Sequence, residues 1–331
     1  MEASTTAQVT PAAAASANRP AQKWLQRATP YLFILPTVLL VFLFTIWPTG
    51  QTVLDSLYTP GRTVVDPNTG ERTPGPDEFV GLENYRALLF PTDPPDPIGS
   101  RFPRVLGNTL LFAGVTVVLG LPLSLLMALL LNRRVRGLAI WRFAFFYPAL
   151  LPMIGAANIW AFMFANTVGL INTVLRSFGL EGQDWVGDPN LVLYSVTLVN
   201  IWKQAGFYMI FYLAGLQSIP RDIYEAADLD GASTFAQFFY ITLPLLRRTT
   251  LFVLVIAATY AFQTVEQLQA LNFGLPADRG NLILYFIFQN IGSRRSLGLV
   301  NAMTVILIAL LLIFTVANFV FFEGRGKEQE A

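Results

Sequence analysis

Apolar residues along the chain collect into long blocks separated by short polar connections. Six blocks reach the roughly 20 residues a helix needs to cross a bilayer. They cover about 30–57, 105–131, 138–165, 191–216, 249–271 and 297–322. Pro36, Pro122, Pro148 and Pro152 fall inside them; membrane helices tolerate this where neighbours satisfy the freed backbone groups. The predicted fold class is an all-α polytopic membrane protein with six transmembrane helices in a domain over 30–323. A shorter run, Leu282–Ile291, is too short to span and reads as a re-entrant or interfacial helix.

The polar connections set the orientation. Arg19, Lys23 and Arg27 precede the first block; Arg133, Arg134 and Arg136 follow the second; Arg221, Arg247 and Arg248 follow the fourth; Arg325 and Lys327 follow the sixth. With six spans these all fall on one side. The other side has Tyr58–Arg104, where acidic residues outnumber Arg, then 166–190 with only Arg176, then 272–296 with Arg279, Arg294 and Arg295. The bias of Lys and Arg toward the inner face makes both termini cytoplasmic. Residues 1–29 are rich in Ala, Thr, Ser and Pro and read as a disordered tail. They lack the basic start of a signal peptide, so the first block reads as an uncleaved helix. Residues 324–331 form a short cytoplasmic tail.

Composition agrees. The 331 residues are 54% hydrophobic and 13% charged, against about a quarter charged in soluble domains. A net charge of +1 offers no bulk attraction for nucleic acid. Cys and His are absent, which removes disulfides, thiolate nucleophiles, imidazole bases and the usual zinc sets. No G-x-x-x-x-G-K-[S/T] loop occurs, so energy comes from a partner or transport is passive. No catalytic or metal-binding residue is assigned. Asp228 and Asp230 do match the D-x-D pattern of metal-dependent sugar transferases, and two such carboxylates can share a divalent ion. A membrane enzyme acting on lipid-linked sugar therefore stays open at this point. So does a self-contained carrier or channel, although the halves show no repeat.

The longest inner connection, 218–246, is not disordered by composition. Ser218 or Ile219 can cap a helix, and Pro220 suits its first turn. Asp222 and Glu225 suit the positive end of the helix dipole. Gly231 lets the chain turn without a Cβ penalty, a second helix follows, and Pro244 stops or kinks it. The expectation is a helix–Gly–helix on the membrane face with small residues Ala226, Ala227, Gly231 and Ala232 outward. It suits either lipid headgroups or a docked protein.

"EAADLDGASTFAQFFYITLP" resembles the EAA motif of binding-protein-dependent ABC importer permeases: E-A-A, three residues, G, nine residues, I, one residue, L-P. Glu225, Ala226, Ala227, Gly231, Ile241, Leu243 and Pro244 fill its fixed positions. "FVGLENY", "NTLLF", "GLINTVL" and "NIWKQAGFYMIFYLAGLQSIP" resemble the sugar-importer branch of maltose- and glycerol-phosphate-type permeases. The resemblance covers about Pro30 to Phe322. It implies a bacterial or archaeal inner-membrane, multi-pass subunit whose coupling helix lies between helices four and five and docks on an ATPase through Tyr224, Glu225, Ala226, Ala227, Asp230, Gly231, Leu243 and Pro244. It also implies the partners: a second permease subunit, two ATP-binding subunits holding ATP and Mg, and an external solute-binding protein. The chain itself would need no cofactor. "LNFGLPADRG" stands where members often carry T-x-G-G-P after the fifth span.

Polar residues inside spans are costly and default to functional roles. Lys203 has Asn200, Gln204 and Phe207 on its helical face, and Glu266 has Tyr260, Gln263, Thr264 and Gln267 around it. Lys203 and Glu266 can pair with each other, face the second permease, or snorkel. The resemblance places solute contacts in these regions, where amide, hydroxyl and aromatic groups suit sugars.

Overall fold

The computed structural model describes residues 20–61, 64–65, 72–73, 75–90, 96–133, 136–271 and 274–327. Residues 1–19 of the expected disordered tail and residues 328–331 of the C-terminal tail lie outside these. The chain divides into two units at Gln51/Thr52. In the first, α1 (Pro20–Val41) continues through a π-helical turn, Phe42–Ile46, into α2 (Trp47–Asp55), which crosses the division. Residues 20–29, expected to be part of a disordered tail, are thus helical.

The second unit opens on four two-residue strands. β1 (Tyr58–Thr59) pairs antiparallel with β4 (Glu78–Phe79), and β2 (Val64–Val65) with β3 (Arg72–Thr73). Helices follow: α3 (Glu83–Leu89), α4 (Phe102–Leu131), α5 (Leu138–Leu150), α6 (Met153–Met163), α7 (Leu170–Ser177), α8 (Val192–Gln217), α9 (Arg221–Leu229), α10 (Thr234–Gln237), α11 (Leu243–Leu245), α12 (Arg247–Phe262), α13 (Glu266–Leu271), α14 (Ile283–Asn290) and α15 (Leu297–Lys327).

Among the described residues, three helices are long and apolar enough to cross a membrane, Thr29–Asp55, Phe102–Leu131 and Leu297–Asn318; two bent pairs raise this to as many as five if each pair is one span. The third predicted span is not one straight helix. α5 and α6 meet at 100°, because Pro152 has no N–H to continue the ladder and holds Leu151 extended at φ −70°, ψ 139°. The fifth predicted span ends early: α12 stops at Phe262, and α13 begins only at Glu266. Its N-terminal end joins Thr234–Leu245 at 66°. The fourth, α8, has 26 residues, about 39 Å at 1.5 Å per residue, but its polar face keeps it from matching the others in apolarity. The run at Leu282–Ile291 is helical and sunk in protein, with Ile283 and Phe286 wholly buried.

Two buried apolar clusters hold this unit together. One gathers Phe102, Phe112, Phe164, Val196, Phe262, Phe286 and Met303. The other gathers Leu121, Leu131, Tyr208, Tyr212, Leu246 and Val253. α4, α8 and α12 each contribute to both clusters, and the polar Thr116, Asn200 and Lys203 fall between. α5 crosses α8 so closely that a Cβ on Gly206 would overlap the Phe145 carbonyl.

Candidate functional site

The connection after α8 is a compact elbow. Pro220, at φ −58°, is the N-cap of α9 rather than a first-turn residue, and Asp222 sits in the first turn. At the C-terminus Gly231 adopts φ +79° with open space around its Cα. This left-handed residue lets Ala232 N–H reach back to Ala227 O at 2.9 Å. Ser233 Oγ accepts from Ala236 N–H at 3.2 Å and starts α10. Gln237 Nε2 donates to Asp228 Oδ1 at 2.5 Å and to Ala232 O at 3.2 Å, tying the two arms together. Asp228 of the D-x-D pair is thus engaged inside the elbow. The chain continues through a π-helical turn, Phe238–Thr242, into α11, where Leu243 and Pro244 are exposed.

The expected outward row of small residues is only partly formed. Glu225, Ala226, Asp230 and Gly231 are exposed, but Ala227 faces inward and is 9% exposed. Ile241 and Ala232 are half-buried. Tyr224 also turns inward, its hydroxyl 2.9 Å from Thr242 Oγ1. Large apolar side chains stand uncovered instead: Leu229 is 90% exposed and Phe235 74%. A cavity of about 620 Å³ lies under the elbow, lined by Leu129, Leu216, Tyr224 and Phe238 among others.

The second group of candidates lies around the layer between the apolar clusters. Asn200 is buried and its Nδ2 donates to Thr116 Oγ1 at 3.5 Å. Lys203 is also buried; its Nζ donates to Ala149 O at 3.5 Å, one of the last carbonyls of α5, where the helix dipole favours a cation. Gln204 and Phe207 are half-buried on the same face. Phe207 meets Tyr260 edge to face, ring centroids 6.4 Å apart. Gln263 is exposed, while Thr264 is buried and donates to Tyr260 O at 3.2 Å, closing the end of α12. The possible Lys203–Glu266 pair is not formed among the described residues. Glu266 is exposed in the first turn of α13, past the break, where the dipole favours an anion. Gln267 is wholly buried and neither amide atom has a hydrogen-bond partner among the described residues.

Thr116 and Trp160 were not among the predicted residues. Trp160 packs against Trp202 with centroids 5.6 Å apart, and its indole N–H has no partner among the described residues. A lone threonine and a tryptophan in apolar blocks carry no signal of their own.

A third polar cluster also escaped sequence reasoning. Arg101 forms a bidentate ion pair with Asp278, Nη2 reaching Oδ1 at 2.6 Å. Asn108 Nδ2 donates to Asp278 O at 2.7 Å and to Asn281 O at 3.1 Å. Thr109 Oγ1 accepts from Ile283 N–H at 2.9 Å at the start of α14. Arg101 also lies over the Phe286 ring, 5.1 Å from its centroid. Burial alone would push the Asp278 carboxyl up. Hydrogen bonds from Arg101 and Asn281, with the charges of Arg101 and Arg104, outweigh it and hold the group below the usual carboxylate range.

Long apolar helices, an elbow between α8 and α12 and a buried polar layer together define a helical membrane protein. The chain belongs to the family of binding-protein-dependent transport system inner membrane components, which residues 120–322 match. It is 30% identical to the arabinooligosaccharides transport system permease protein AraP of Bacillus subtilis (strain 168), over 91% of each chain. It is 33% identical to the sulfoquinovosyl glycerol transport system permease protein SmoG of Agrobacterium fabrum, covering 88% of this chain and 91% of that one. It is 31% identical to the sn-glycerol-3-phosphate transport system permease protein UgpA of Salmonella typhimurium, covering 95% and 100%. The fold is similar to that of a bacterial ABC transporter involved in the import of the acidic polysaccharide alginate, with a TM-score of 0.73 at 22% identity over 92% and 99% of the two chains. A bacterial alginate ABC transporter in complex with alginate pentasaccharide-bound periplasmic protein gives 0.73 at 21% identity over 91% and 96%. The chain is thus a multi-pass inner-membrane transport permease rather than an enzyme.

Proposed function

We propose that this chain is one permease subunit of an ATP-driven importer for a sugar or polyol, with six crossings and both termini in the cytoplasm. The bent pair α5–α6 would make one crossing with a break in it, α12, bent against Thr234–Leu245, another, and α8 the polar one. The elbow is the coupling element: one of two ATP-binding subunits, which alone hold ATP and Mg, grips α9 through Glu225, Ala226, Asp230 and Gly231. Closure of the nucleotide-bound pair pushes on a unit braced by the Gln237–Asp228 and Tyr224–Thr242 bonds, and the spans reorient. Solute released by an external binding protein then passes between this chain and a second permease subunit. Asn200, Gln204, Phe207, Tyr260, Gln263 and Thr264 supply amide, aromatic and hydroxyl contacts beside that path. Lys203 and Gln267 line it only if the helices part, since both are buried here. No bond is made or broken in this chain. The relatives named above carry polyhydroxylated solutes, which supports the solute class.

The observation that carries the reading is the elbow: a motif matched at every fixed position, folded as helix–Gly–helix, with Leu229 and Phe235 uncovered beside it. Glu225 is exposed and makes no bond among the described residues, so Glu225→Lys should leave the melting temperature of the purified chain unchanged. The same change should abolish co-purification of the ATP-binding subunit in mild detergent. Undiminished co-purification would count against the coupling assignment.

A further inference from the structure

The segment "FVGLENY" takes no part in the sites described above, yet it frames a cavity of its own. Its Asn84 is buried and donates through Nδ2 to Ser56 O at 2.8 Å and to Tyr58 O at 3.0 Å. Its Tyr85 hydroxyl lies 2.6 Å from Ser56 Oγ. Its Phe79 pairs with Tyr58 across β1 and β4, and the two rings meet edge to face with centroids 5.3 Å apart. The chain leaving α2 is thus fastened down. Gly298, in the first turn of α15, lets it come close, since a Cβ there would overlap Tyr58 O. Arg294 secures the far side: its Nη2 donates to Gly75 O at 3.3 Å and lies 3.4 Å from Asp77 Oδ1. Where these parts meet, a cavity of about 540 Å³ is lined by Asp55, Tyr58, Asp77, Arg294 and Asn301 among others. Small-molecule sites run from about 300 to 1,000 Å³.

The frame is held by groups outside the cavity, and polar groups inside it stay unspent. Asp55 and the half-buried Asn301 make no side-chain hydrogen bond or ion pair among the described residues. Asp55 is moreover the last residue of α2, where the helix dipole disfavours an anion, so folding gains nothing from its charge. A fixed frame around unspent polar groups saves the ordering cost of binding. The set has one evident chemistry. Carboxylates accept, the guanidinium donates, and the amide of Asn301 does both. Each hydroxyl of a sugar or polyol is at once donor and acceptor, so such a ring can meet all of them. A phosphate, sulfonate or uronate would instead meet the unpaired charge of Asp55.

We propose that this cavity is a subsite for one neutral polyhydroxylated ring, with Asp55, Asp77 and Asn301 taking its hydroxyls and Arg294 both donating to it and holding Asp77. The proposal rests on the permease reading above, which puts 58–104 and 272–296 outside the cell, and it narrows the cargo to uncharged sugars or polyols. The ring would occupy the cavity on the outer side, before the solute enters between the helices.

The test uses the full chain in nanodiscs of neutral lipid and saturation-transfer NMR. The probes are maltotriose and arabinotriose, both neutral, and trigalacturonate and sn-glycerol-3-phosphate, both anionic. At least one neutral probe should bind, more tightly than either anion. Its apparent Kd should rise about tenfold in Asp55→Asn/Asn301→Ala, which weakens or removes contacts at both positions. The melting temperature of that variant should hold level or rise, because neither side chain is bonded and Asp55 opposes its helix dipole. Arg294→Ala should weaken binding as well, with a small loss of stability through Asp77. The proposal is overturned if neither neutral probe binds the wild type, if binding survives undiminished in the double variant, or if an anionic probe binds more tightly than the neutral ones. Capture of the ATP-binding subunit is followed on the same chain. A chain that binds a neutral probe through Asp55 yet captures no such subunit would sink the permease reading and leave the sugar site standing.

Discussion

The loop at 274–281 and the elbow at 221–245 both turn through left-handed backbone, yet they are held in opposite ways. The loop forces Ala277 and Asp278 into that region and fastens them to Arg101 and Asn108, far away in sequence. The elbow uses Gly231, with nothing within 4 Å of its would-be Cβ, and its closing bonds stay inside the elbow itself. A loop fastened to a distant helix moves with that helix. A self-contained elbow keeps its shape while its surroundings change, which is what an element gripped by another protein requires.

The widest separation between the two should come from Gly274→Val. Its Cβ would meet Asn281 at 2.8 Å while the backbone stays at φ +83°, costing on the order of 2–3 kcal/mol and lowering the melting temperature of the purified protein. Asp278→Asn should cost somewhat less, about 1–2 kcal/mol, since Arg101 loses its anion but not its place over Phe286. This pair also carries a pH signature. Because the folded carboxyl titrates below its unfolded value, its contribution is full above about pH 4 and fades as pH falls further. Acid melts of wild type should therefore converge on those of Asp278→Asn below that range; parallel curves would deny the ion pair its role. Gly231→Ala should cost about 1 kcal/mol through the left-handed backbone alone, and should reduce ATPase docking more than thermal stability. Smallest is Ser233→Ala, which removes the cap of α10 at about 0.5–1 kcal/mol, read as faster backbone hydrogen exchange in the elbow only.

What could be read from residue order follows the same division. The elbow is local chemistry: Pro220, Gly231 and Ser233 each act within a few positions, so its helix–turn–helix form was legible, and only the inward turn of Tyr224 and Ala227 needed the fold. Apolar blocks announced long helices but not their direction. The 100° bend between α5 and α6 has its cause in Pro152, yet hydropathy sums composition and says nothing about angle. Lys203 and Glu266 looked like partners because both are charges in apolar runs; the break at Gln263–Val265 sets Glu266 on a separate helix. Gln267, read as a solute contact, is wholly buried, and no period in so short a segment says which side faces protein. The Arg101–Asp278 clamp was invisible, since nothing local in "RFPRV" or "LPADRG" records that these segments meet.

Gly206 has a consequence for how force would spread. Where α5 and α8 touch backbone to backbone, no side chain is left between them to compress, and a push delivered at one arrives at the other almost undamped. The two rods would behave as a pair of scissor blades riveted at one point, so a single added methyl there would loosen the rivet rather than merely crowd a packed interior.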